Sequence, residues 1–297
     1  MQSVKNIVVG IDFSPCSLVA LRQAVRLAKA SRAQVRAIHV IDTLVAVQTA
    51  DELTALQQQI VVSLLDESRA MWKDFSQRAG APDTAFHVEI NSPTAAIARH
   101  AKEHKADLVI MGTHGTSPGG RGTGTVASSV VRRSPTRVLL VPDSQEGPFK
   151  KVLAAIDFSA TSREAFDQAL NMAALDGASL HVVYVYSPPW EHMKARPGSP
   201  ESTPEFRDAY AGALKQRMSA FCEVGRPEGV WAKPEFHAVA HKNHGQGIID
   251  TAKKLGADLV VLGTRGTTNI REILLGSTAE RVVRDAQCSI LAVHPSK

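Results

Sequence analysis

The sequence predicts an α/β fold of two tandem, doubly wound, five-stranded parallel sheets with helices on both faces. Three observations predict it. The chain repeats itself once at long range. Apolar runs alternate with amphipathic stretches inside each repeat. The apolar runs are also continuous, as expected of strands covered on both faces. The segment KNIVVGIDFS at 5–14 returns as KKVLAAIDFS at 150–159, and ADLVIMGTHG at 106–115 returns as ADLVVLGTRG at 257–266. Between the copies, the polar, turn-rich stretch 142–148 reads as a linker. The expected domains are therefore 1–145 and 146–297.

In the first half, residues 6–11 form an apolar strand ending at Asp12, and Ser14 is placed to cap the helix that follows. Leu18, Leu21, Val25 and Ala28 share one face of that helix. A second strand covers 34–41. A long helix covers 51–79, with Leu53, Leu56, Ile60, Leu64 and Met71 at near-helical spacing. A third strand covers 85–90, and Pro93 opens a helix running through Lys105. A fourth strand covers 107–111, Ala127, Val130 and Val131 mark a fourth helix, and 137–141 is the fifth strand. The second half copies this plan. It differs in a Pro-rich stretch at 187–204 and in a helix from about Glu205 to Glu223.

The totals exclude several classes. With 297 residues, 44% hydrophobic and 21% charged, each half can bury its own core. No apolar run approaches a membrane span. The N-terminal stretch leads almost directly into a strand, so no signal peptide is expected and the cytoplasm is the expected compartment. Cys16, Cys222 and Cys288 form no pairing framework and read as small apolar fillers. The net charge of +5 is interspersed in sign and carries no basic–aromatic pattern, so neither nucleic acid nor membrane is an expected partner.

The stretch that carries chemistry is Gly263, Gly266, Gly276 and Ser277. It leaves an apolar strand and opens an amphipathic helix. Glycines let backbone N–H groups approach a ligand, and a helix N-terminus adds free donors and partial positive charge, which suits phosphate. Ser277 with Glu280 also reads as a capping box. Asp12 and Asp157 end the first strand of each half. Each fits either a carboxylate facing a crevice, bonding a ribose hydroxyl or a phosphate-bound metal, or a cap of the next helix. Arg265 and Arg271 lie in the glycine loop and fit either a phosphate contact or a solvated charge. His237, His241 and His244 cluster, but no Cys or carboxylate completes a metal set, so a surface-loop role is expected. Trp72, Trp190 and Trp231 are expected in packing roles.

Both halves resemble the universal stress protein family, and the chain looks like its tandem form over almost its whole length. The family signature is Gly, two residues, Gly, nine residues, then Gly with Ser or Thr. Gly263, Gly266, Gly276 and Ser277 match it, after the right strand and with the strand-one Asp-Phe-Ser present. The resemblance implies a Rossmann-like sheet of the adenine nucleotide alpha hydrolase type and an ATP-binding protein of the stress response, with magnesium as a companion ion. It implies that Ile156 and Asp157 flank the adenosine and that Val185 lines the adenine pocket. It places Leu262 and Gly263 against ribose and phosphate, and Gly266, Gly276, Ser277 and Thr278 on the phosphates. In the first half the matching residues are Ile11, Asp12, Val40, Met111, Gly112, Gly115, Gly124, Thr125 and Val126. There only eight residues separate Gly115 from Gly124, and the apolar residues seen at Ile270, Ile273 and Leu274 are missing. That loop is either a more flexible phosphate loop or a decayed one.

Slow hydrolysis at most is expected, because no histidine or glutamate stands in a catalytic motif beside the loop. An adenylating enzyme is disfavoured: no Ser-Gly-Gly-x-Asp-Ser loop, His-x-Gly-His motif or P-loop is present. A tandem scaffold that has lost one or both nucleotide sites is the alternative. The fifth strands, 137–141 and 289–293, resemble the family's dimerising strand. They imply an internal pseudo-dimer of the two halves and leave open a homodimer of whole chains.

Overall fold

The computed structural model describes residues 4–42, 54–115, 123–188, 190, 203–224, 233–266 and 275–295. The chain divides into two compact units, Met1–Gly147 and Pro148–Lys297.

In the first unit the strands are β1 (Asn6–Ile11), β2 (Gln34–Asp42), β3 (Ala85–Asn91), β4 (Leu108–Gly112) and β5 (Arg137–Val141). The helices are α1 (Pro15–Ser31), α2 (Thr54–Arg78), α3 (Pro93–Glu103) and α4 (Thr125–Arg133). The strands run parallel in the order β3-β2-β1-β4-β5. Ile7, Val8 and Val9 are fully buried in succession. Both faces of β1 are therefore covered, which is why its sequence shows no polar alternation.

The second unit repeats the plan with β6 (Lys151–Ala155), β7 (Ser179–Tyr186), β8 (Glu235–Ala240), β9 (Leu259–Gly263) and β10 (Ser289–Val293). Its helices are α5 (Ala160–Asp176), α6 (Pro204–Glu223), α7 (His244–Leu255) and α8 (Ser277–Asp285). The strand order is β8-β7-β6-β9-β10, again parallel. In both units the first and fourth strands are neighbours, so the chain order reverses between them. A crevice opens there beyond their carboxyl ends.

Local chemistry explains how α1 and α5 start. Ser14 and Ser159 have extended backbones, and each side chain accepts from the amide three residues on, Ser17 and Ser162. Asp12 and Asp157 are therefore not the caps. The expected capping box at Ser277 is also corrected. Gly276 holds the extended N-cap conformation, and the Glu280 amide donates to the Gly276 carbonyl. The helix thus begins one residue earlier than the box requires. Ser277 is its first helical residue, and no side chain caps it.

The tryptophans pack as expected where they are described. Trp72 is buried and stacks on Phe86 at 4.4 Å, and Trp190 is buried edge-on to Tyr210 at 5.3 Å. Trp231, the side chains of Leu53 and Leu56, and most of the Pro-rich stretch lie outside the described residues. Cys16 and Cys222 are buried; the Cys288 thiol is pushed up to about 11, chiefly by desolvation. Among the described residues no helix is long and apolar enough to cross a membrane.

Candidate functional site

In the second unit a crevice of about 380 Å³ opens where β6 and β9 end. Ile156, Asp157, Val185, Leu262, Gly263, Gly266, Gly276, Ser277 and Thr278 all line it. The equivalent crevice of the first unit is about 430 Å³. Ile11, Asp12, Val40, Met111, Gly112, Gly115, Gly124, Thr125 and Val126 all line that one. Each sequence-picked set is therefore gathered around a single concavity in its own unit.

The aspartates are aimed by the turn that follows them. Oδ1 of Asp157 accepts from the Ser159 amide at 3.0 Å, and Oδ1 of Asp12 accepts from the Ser14 amide at 3.0 Å. The next residues, Phe13 and Phe158, sit at φ of 60° and 64°. A left-handed conformation costs a non-glycine residue about 1–2 kcal/mol. Packing holds it in place. The Phe13 ring lies 4.7 Å from His39 and edge-on to Phe75 at 5.3 Å. Phe158 lies 4.7 Å from Tyr184 and 4.1 Å beneath the Arg217 guanidinium. One carboxylate oxygen is thus fixed to the turn, and the other faces the glycine loop.

The glycines serve proximity rather than unusual backbone angles. Among the described residues the glycines with positive φ are Gly80, Gly177 and Gly256, none of them in the motif. A Cβ on Gly263 would lie 2.9 Å from Thr161 Cγ2, and one on Gly112 would lie 2.6 Å from Cys16 Cβ. These two glycines let the fourth strand approach the first helix of each unit. A Cβ on Gly266 would meet Asp157 Oδ2 at 2.6 Å, and one on Gly115 would meet Asp12 Oδ2 at 3.0 Å.

Each loop is pinched shut at its base. The Gly276 amide donates to the Thr264 carbonyl at 2.9 Å, and the Gly124 amide donates to the Thr113 carbonyl at 2.7 Å. The first unit's shorter loop therefore closes with the same bond as the second unit's. The loop interiors, with Ile270, Arg271, Ile273 and Leu274, lie outside the described residues. Beyond the pinch, α8 and α4 start at glycine N-caps with no side-chain acceptor. Their first-turn amides and helix dipole point at the crevice.

Sequence reasoning missed several lining residues. Thr264 is 3% exposed, and its hydroxyl makes no hydrogen bond among the described residues. It sits inside the Gly-Thr-Arg-Gly motif, so its placement was readable. The His114 Nε2 atom in the first crevice is likewise buried without a partner. Tyr184, His244 and Ile248 reach the second crevice from β7 and α7, and no local pattern announces that. Burial pushes the Tyr184 phenol up from its ordinary value, against the nearby Arg217 charge, so it keeps its proton as a donor. Arg265 lines the same crevice.

The three clustered histidines go to different places. His244 Nε2 is 3.2 Å from Ser187 Oγ, and His241 Nδ1 accepts from the Asn243 amide at 2.9 Å. His237 instead meets His181 across the sheet, with Nδ1 of His181 at 3.1 Å from Nε2 of His237.

Comparison with known proteins adds to this geometry. The model of the universal stress protein family matches residues 3–142 and again 148–294. A universal stress protein of Methanocaldococcus jannaschii, MJ0531, is 32% identical over 154 residues, covering 51% of this chain and 86% of its own. Universal stress protein E of Escherichia coli K12 is 26% identical and spans 100% of this chain and 96% of its own. A crystal structure of a universal stress protein from Archaeoglobus fulgidus superposes with a TM-score of 0.69 at 18% identity, each chain fully covered. That likeness concerns the fold. With the family model matched twice along its length and a relative of that name aligned over all of it, this chain belongs to the universal stress protein family as a tandem pair of its domains.

Proposed function

We propose that the chain is a regulatory module that binds ATP in the crevice of its second unit, with Mg²⁺ as a companion ion and hydrolysis slow at most. One observation carries this reading. The Asp157 Oδ2 atom, the Gly266 end of the loop and the uncapped α8 N-terminus all face one concavity, whose lining also includes the apolar side chains of Ile156, Val185, Ile248 and Leu262. That is the division of labour a nucleotide needs. Ile156, Val185, Leu262 and Ile248 offer the base a non-polar slot. Asp157 meets a ribose hydroxyl or the magnesium ion. Gly276, Ser277 and Thr278 present amides to the phosphates. The Thr264 hydroxyl, buried with no partner among the described residues, supports a polar ligand there, since such groups are costly left unpaired.

The first unit is read as a second site of the same class. Its loop is closed by the same bond, and the buried His114 Nε2 atom in the crevice has no hydrogen-bond partner among the described residues. Fast chemistry is not part of the reading. His244, the histidine lining the second crevice, is engaged with Ser187 rather than held by a carboxylate as a general base. The module acts through altered partner contacts in the cytoplasm.

The test is direct. Protein purified without added nucleotide is denatured, and the supernatant is analysed by absorbance and mass spectrometry. Co-purified ATP or its hydrolysis products in up to two equivalents is expected. A nucleotide-free protein that also fails to bind added ATP with magnesium would favour the scaffold alternative.

A further inference from the structure

The second unit carries a donor set that the nucleotide reading does not use. On β7 and β8, His181 stands opposite Glu235 in the ladder, and Val183 stands opposite His237. Side chains two apart on a strand share a face. His181, Glu235 and His237 therefore project together. His181 Nδ1 lies 3.1 Å from His237 Nε2 and 3.5 Å from Glu235 Oε2. All three donor atoms fall within 4.8 Å of one another.

We infer that His181, Glu235 and His237 form a binding site for a divalent transition ion of the zinc class. The separations fit the ion. Tetrahedral Zn²⁺ with bonds of about 2.0–2.1 Å holds its ligands about 3.3 Å apart, between the two distances above. Two imidazoles with one carboxylate suit zinc rather than magnesium or calcium, and leave the fourth position to water.

The surroundings support the assignment. Nε2 of His181 is 3.3 Å from Ser179 Oγ. With Nδ1 on the metal, Nε2 must carry the proton and donate it to that hydroxyl. This is the usual outer-shell orientation of a ligating histidine. Burial lowers both histidines from their ordinary values, so the rings are held in the neutral form that binds metal. His181 is buried, while the Glu235 side chain is 70% exposed and gives an ion access from solvent. Lys151, Lys215 and Lys254 add positive charge around the pair. Glu235 is therefore needed for charge balance as well as for its oxygen.

The first unit lacks the set. Its matching register point pairs Arg36 with Ala85, and only His87 remains, opposite Ile38. The proposed site is also separate from the nucleotide crevice. Val185, which lines the crevice, lies four residues further along β7, about 13 Å at the strand rise. Bound metal would clip the outer strand β8 to β7.

The experiment uses the full chain, stripped with chelator and titrated with Zn²⁺ against a chromophoric competitor. Absorption of the Co²⁺ form reports coordination. One high-affinity equivalent and a four-coordinate cobalt spectrum are expected. His237→Ala and Glu235→Gln should each weaken Zn²⁺ by at least about tenfold, while His87→Ala should leave it unchanged. His237 is only half buried, so that variant should fold; a circular dichroism spectrum checks it. No tight equivalent in the wild type, or wild-type affinity in both site variants, would overturn the assignment. ATP binding measured on the same variants should not change, which separates this site from the nucleotide reading.

Discussion

Asp157 occupies the space that a side chain at position 266 would need: a Cβ on Gly266 would lie 2.6 Å from its Oδ2. The carboxylate cannot simply swing aside, because its other oxygen is bonded to the Ser159 amide at 3.0 Å. Gly266→Ala should therefore push Asp157 out of register and weaken ATP by about tenfold or more, while the sheet stays intact. Calorimetric titration checks it. In the first unit the gap is 3.0 Å, so Gly115→Ala should have a smaller effect on nucleotide held there.

Gly263 and Gly112 predict a different phenotype. Their absent Cβ atoms make room for α5 and α1, so substitution costs stability before it touches a ligand. Gly263→Ala should cost about 1–3 kcal/mol, as overpacking does. Thr161→Ser removes the methyl at 2.9 Å and should recover part of that cost in the double variant. Gly112→Ala meets Cys16 Cβ at 2.6 Å and the Cys16 backbone at 2.9 Å, which no side-chain change relieves. It should be the more damaging of the two. Urea midpoints of the single and double variants decide this.

His100 predicts a pH dependence. It is buried on α3, with its ring 5.4 Å from His87 and 4.3 Å from His104. Desolvation first, then the His104 and His87 charges, lowers it from 6.5 to about 4, against the opposing pull of Glu103 and Glu89. A lowered folded value means that the unfolded chain binds the proton more readily. The stabilisation is then complete above 6.5 and is lost as pH falls toward 4. His100→Gln should flatten that loss relative to wild type. Urea unfolding at several pH values through this window measures it.

Much of this was readable in the residues. Continuous apolar runs such as Ile7–Val9 specify strands covered on both faces, and the two copies of Asp-Phe-Ser and Gly-Thr-x-Gly mark where the first and fourth strands end. The rest depended on three-dimensional context. The capping register at Ser277 was missed because only the backbone angle at Gly276 decides which residue leaves the helix. Gly263 lines the crevice, but its close packing on Thr161, 102 positions away in the chain, is set by the fold and has no local signal. The pairing of His181 with His237 was invisible because it is set by the register of β7 on β8, while His241 and His244 were near in sequence alone.

The central claim concerns one carboxylate and one helix start acting together on a nucleotide. The most direct measurement is calorimetric titration of ATP, with and without magnesium, into wild type, Asp157→Ala and Asp12→Ala. Saturable binding by wild type is expected, with the second-unit equivalent weakened at least about tenfold in Asp157→Ala and retained in Asp12→Ala. Undiminished binding in Asp157→Ala, or none in wild type, would contradict the account.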